Sequence, residues 1–146
     1  MINYNFQKHE QEAKEFLRDV ASGIGTPGDL EQAGRVLNAV LHTLRDRITP
    51  QESLDLVAQL PVYVRAAYID GWNFREKPPR VKTKEGFLLE VLDKAPRTNF
   101  HDFGSLEETR MKTEAVFQVL QKRVPAGEIK DIKAQLPEDV AELIHA

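Results

Sequence analysis

The chain has no cysteine, which excludes a disulfide framework, a thiol nucleophile and every cysteine-ligated zinc or iron–sulfur site. No run comes near the roughly 18 apolar residues of a membrane helix. The opening MINYNFQKHEQEAKE carries charges where a secretion signal needs an apolar stretch, so a cytoplasmic protein is expected. Alternating runs long enough for a half-buried strand are missing, and β-branched residues are scattered. There is no GxSxG elbow, no glycine-rich phosphate loop after a strand, and no HxH or HExxH spacing. Neither a catalytic set nor a cofactor or metal site is legible.

What is present suffices for a fold. The chain has 146 residues, 41% of them hydrophobic, and a chain of about 150 residues buries roughly 68–70% of its unfolded surface without staples. The net charge of −3 conceals a pattern. Residues 1–72 carry 7 basic and 10 acidic side chains, and residues 85–146 carry 8 and 12. The short segment between them, NFREKPPRVKTK, carries 5 basic and 1 acidic. Two acidic bodies repel a phosphate backbone, so nucleic acid is not the expected partner.

Apolar residues recur at helical spacing, as in Leu30, Ala33, Leu37, Val40, Leu41, Leu44 and Ile48. The expected class is all-α, a bundle of about eight helices. The first should span about 5–21 with Phe6, His9, Ala13, Phe16, Leu17 and Val20 inward, ended by Gly23 and Gly25. Thr26-Pro27-Gly28-Asp29 reads as the start of a second helix, with Thr26 as cap, running to about Arg47. Thr49-Pro50-Gln51-Glu52 reads as a capping box opening a third helix to about Gln59. Pro61 should open a fourth, and Gly71 close it.

The second half repeats the first. With an offset of 76, LRDRITPQESLDLVAQLP lies over LQKRVPAGEIKDIKAQLP. Leu44/Leu120, Arg47/Arg123, Glu52/Glu128, Asp55/Asp131, Gln59/Gln135 and Leu60/Leu136 are among the identities. The expected architecture is one domain over 1–146, made of two pseudo-twofold repeats at about 5–72 and 83–146 joined by a basic linker, 73–82. The second copy has five extra residues in its first loop, LDKAPRTNFHDFGS against ASGIGTPGD.

The string VLHTLRDRITPQESLDLVAQLPVYVRAAYIDGW, with its later counterpart KRVPAGEIKDIKAQLP, resembles an uncharacterised bacterial family, domain of unknown function 2267. The resemblance covers about 6–145. It implies a small helical bacterial protein and carries no catalytic residues with it.

Residues common to both copies are expected to serve the scaffold. Arg47 and Arg123 would complement helix C-termini and are near enough to pair with Glu52 and Glu128, while Gln59 and Gln135 would bond free carbonyls; the functional alternative is a twofold-related pair of Arg/Glu sites binding an anion. Special chemistry should lie in what only one copy has. In the enlarged loop, Phe100 and Phe103 should tuck onto the core while His101 and Asp102 face water; the functional alternative makes His101 a base or a metal ligand. Tyr68, Trp72 and Phe74 form an aromatic group that is either a partner-binding patch or the seam between the halves. Arg75, Lys77 and Arg80, beside it in the basic linker, are expected to be a solvated, charge-extended connector; the functional alternative has them engage phosphate or an acidic partner. The leading function is a non-enzymatic interaction or regulatory module with a protein partner, as a monomer or homodimer. The alternative is a small-ligand binder or enzyme using a crevice between the repeats, with Arg35, Arg65 and His42 pointing into it.

Overall fold

A computed structural model describes residues 5–73, 81–95 and 97–145. Among these residues there are nine helices and no strand: α1 (Phe6–Gly23), α2 (Leu30–Arg45), α3 (Pro50–Val57), α4 (Val62–Ile69), α5 (Lys84–Asp93), α6 (Asn99–Asp102), α7 (Leu106–Arg123), α8 (Ala126–Gln135) and α9 (Glu138–Ala141). The helix beyond the expected eight is α6, a single turn inside the enlarged loop. No helix among the described residues is long and apolar enough to cross a membrane.

Capping residues set most starts. Asn5, Thr49, Thr83 and Ser105 each accept the N–H three residues on, satisfying a donor that the first turn leaves free. The start of α2 differs from expectation. Gly28 sits at φ +87°, outside helical space, so the chain cannot turn helical at Pro27. Asp29 is the cap instead, accepting from Gln32 at 3.1 Å, and Thr26 closes the preceding turn by accepting the Asp29 N–H at 3.0 Å.

The long helices form the frame. α1 packs on α2 and α7, α5 packs on α7 and α2, and α2 also touches α7. The short helices close the ends: α4 against α1 and α2, α9 against α5, and α3 against α8. Phe16 and Val20 of α1, Leu37, Leu41 and Leu44 of α2, Phe87 of α5 and Phe117 and Leu120 of α7 are buried in one core. Phe87 and Phe117 meet at 6.2 Å between ring centroids. Each such side chain contributes roughly 1.5–3 kcal/mol by leaving water. Phe6, expected inward, is instead exposed on the first turn of α1.

Aligned residues of the two copies are buried alike. Leu41/Phe117, Leu44/Leu120, Ile48/Val124, Leu56/Ile132, Leu60/Leu136 and Val64/Val140 all lie in the core.

Candidate functional site

The enlarged loop is anchored differently from its sequence expectation. Phe103 and Asp102 are buried, whereas His101 and Phe100 are exposed. Asp102 is 0% exposed and receives two bonds from Arg35 of α2, Nε at 2.8 Å and Nη2 at 3.0 Å. A buried carboxylate is tolerable when charge-assisted donors replace its water, and this fork supplies two. Gln32 donates to the His101 carbonyl at 3.4 Å, and Lys112 of α7 donates to that of Asp102. Burial pushes Asp102 up, but the bonds from Arg35 and Thr98 and the Arg35 charge outweigh it and hold the carboxyl below its ordinary value. Gly104 at φ +70° then turns the chain into α7, at a point where a Cβ would lie 2.3 Å from Glu108 Oε2. The result is a short helix pinned to both α2 and α7 that holds Phe100 in water at 91% exposure.

The aromatic group resolves into a corner of the first half. Tyr68 is wholly buried, and its hydroxyl pairs with Ser53 at 2.6 Å. Trp72 is half-buried and meets the Tyr68 ring edge-on at 6.0 Å and 89°. Arg45 lies 5.8 Å over the Trp72 ring and donates to the carbonyls of Tyr68 and Asp70, capping the end of α4. Phe74, Arg75, Lys77 and Arg80 lie outside the described residues.

Arg35, Arg65 and His42 do not converge on a crevice. Arg35 binds Asp102, Arg65 Nε donates to the Leu60 carbonyl at 2.6 Å, and His42 Nε2 bonds the Ala67 carbonyl at 2.6 Å. Burial lowers the His42 pKa, which favours the neutral ring. A groove of about 500 Å³ does run between α1 and the α3–α4 junction, lined by His9, Glu12, Glu15, Arg65 and Arg123 among others. Arg123, expected to reach Glu128, is held there by Asp19 of α1 at 2.5 Å and lies over the Phe16 ring.

The glutamates shared by both copies do more than cap. Thr49 accepts the Glu52 N–H at 3.1 Å, but the box does not close. The Thr49 N–H goes across to Gln135 Oε1 at 2.8 Å, and Gln135 Nε2 donates to Glu52 Oε1 at 2.9 Å. So Gln135 replaces the expected return bond and does not cap a free carbonyl. In the second copy the position of Thr49 is Pro125, which has no N–H to offer a glutamine. Glu52 is thereby freed to face α8. It is 8% exposed, its Oε2 has no hydrogen-bond partner, and neither has Glu128 Oε1. One oxygen each of Glu52, Asp55 and Glu128 lie within 4.8 Å of one another. Burial, then the contact with Glu52, then the charges of Glu52, Asp55 and Asp131 push Glu128 up to about 8. Two ionised carboxylates have no donor between them, so a bond between Glu52 and Glu128 exists only when one holds a proton. Sequence reading missed this group because each glutamate alone fits a first helical turn. The available signal was their retention in both copies beside a proline that breaks the capping pattern.

The family model described as an uncharacterized conserved protein, DUF2267, matches residues 13–143. The chain belongs to the DUF2267 family. The match takes in α2 through α8 whole, so both the α6 loop and the α3–α8 acidic group lie inside the DUF2267 region. No curated protein matches the chain. The family's description carries no activity to these residues.

Proposed function

We propose that this DUF2267 chain is a non-enzymatic interaction module of a bacterial cytoplasm, a single domain of two pseudo-twofold repeats in which α6 presents Phe100 to a protein partner. The duplicated scaffold is supported by the aligned buried pairs and by the reciprocal packing of α1 on α7 and α5 on α2. The observation that carries the interaction is Phe100. A large apolar side chain held in water forgoes roughly 1.5–3 kcal/mol of burial, and a binding pocket on a partner would recover it. Its platform is already ordered by Arg35, Gln32 and Lys112, so little conformational entropy remains to be lost on docking. The corresponding loop of the first copy has no such turn.

The partner is a protein with an apolar pocket, and a second copy of the chain would qualify. Affinity capture with the native chain, Phe100→Ala and Trp72→Ala, together with light scattering on each, tests this. The expected result is a stoichiometric complex, either heteromeric or a homodimer, that Phe100→Ala weakens at least tenfold while Trp72→Ala leaves it in place. A complex unaffected by Phe100→Ala but lost with Trp72→Ala, or with the basic run Arg75, Lys77 and Arg80 neutralised, would move the contact to the linker side. Retention of every complex in all variants would sink the proposal.

A further inference from the structure

We propose that Glu52, Asp55 and Glu128 bind one divalent cation of calcium-like coordination at the contact between α3 and α8. The inference does not depend on the role given to Phe100. All three donors are carboxylate oxygens, the ligand class of hard cations and not of zinc or copper. Oxygens bonded to one Ca²⁺ at about 2.3–2.6 Å can stand up to about 5 Å apart, whereas Mg²⁺ at about 2.0–2.1 Å holds them within about 4.2 Å. The three oxygens here lie within 4.8 Å of one another, inside the reach of a calcium shell.

Burial singles this group out from an ordinary acidic surface. Glu52 is 8% exposed, yet its Oε2 has no hydrogen-bond partner. A buried carboxylate oxygen left unpaired is costly, and so is a second one, Glu128 Oε1, in the same contact. A cation satisfies both at once and cancels their repulsion. Hydrogen bonds from outside also orient two of the carboxylates, Gln135 on Glu52 Oε1 at 2.9 Å and Gln51 on Asp55 Oδ1 at 3.2 Å, as second partners commonly do around metal ligands. Asp55 is exposed, so the ion would enter from that side and keep waters in its other positions. Because α3 comes from the first copy and α8 from the second, the ion would tie the two halves together.

Three carboxylates with several retained waters place the affinity at the weak end for calcium, on the order of 0.1–1 mM. The test is thermal unfolding and titration calorimetry at pH 8.5 in chelator-treated buffer, with CaCl₂, MgCl₂ or an NaCl control of equal ionic strength. Calcium at about ten times that dissociation constant should raise the Tm by several degrees, magnesium by less and NaCl not at all. Glu128→Gln and Asp55→Asn should each abolish the rise, while Asp131→Asn, outside the triad, should retain it. Far-UV circular dichroism confirms that each variant folds, and using two ligand variants keeps the test decisive should one fail to. No rise in the native chain overturns the proposal. So does an equal rise in both ligand variants, which would mean unspecific screening. Stability that responds only to acid would leave a shared proton as the occupant and overturn it equally.

Discussion

Replacing Arg35 by methionine keeps the length of the side chain and removes the fork that holds α6. Asp102, 0% exposed, would then carry a charge without either of its charge-assisted donors from Arg35. Breaking a buried ion pair from one side costs about 3–5 kcal/mol. Arg35 is itself 38% exposed, and solvent already screens part of its charge, so about 2–3 kcal/mol is the expected loss. For a chain of this size that is a fall in Tm of about 5–10 °C. The pH dependence fixes the cause. The Asp102 pKa is depressed in the folded state, so its stabilisation is present above the ordinary carboxylate value and disappears as pH falls through the depressed one. The deficit of Arg35→Met should therefore be full at pH 7 and shrink towards pH 3. Adding Asp102→Asn should recover part of it at pH 7 by removing the stranded charge. Calorimetry across pH 3–7 on the two variants is the assay. A deficit that stays constant with pH, or one within about 0.5 kcal/mol of zero at pH 7, would refute the reasoning.

Phe100→Ala should leave stability within about 0.5 kcal/mol of the native chain, measured by urea unfolding, because the ring contributes almost nothing to the core. Tyr68→Phe should cost about 0.5–1.5 kcal/mol, since it leaves the buried Ser53 hydroxyl without its partner. Burial pushes the Tyr68 phenol up to about 12, so absorbance titration at alkaline pH should show one late-ionising tyrosine that Tyr68→Phe removes. Glu128 binds its proton more tightly folded than unfolded, with a folded value of about 8. In chelator, stability should fall as pH rises from about 5 through 8, and Glu128→Gln should flatten that slope.

Periodicity made the helices legible, and the doubled LxxR–AQLP pattern made the reciprocal burial of Leu44 with Leu120 or Leu60 with Leu136 expectable from the sequence. Spacing did not reveal which partner each polar group would choose. Asp102 looked solvent-bound because its counter-ion Arg35 lies 67 positions earlier, and Glu52 looked like a cap because Gln135 comes from the other copy, 83 positions away. Tyr68 and Trp72 read as the seam between the halves more readily than as a binding patch, and the Ser53 hydroxyl and the Arg45 guanidinium show the partners they take within the first half. Local rules foretell local bonds; these contacts are long-range.

The most direct measurement is photo-crosslinking inside cells of the source organism, with a benzophenone amino acid at position 100 and, as control, at Leu89, another exposed apolar residue. A discrete protein adduct at 100 that Leu89 does not give, and that disappears when Arg35→Met loosens the platform, is the expected result. Equal labelling at the two positions, or none at 100, would mean that Phe100 meets only water.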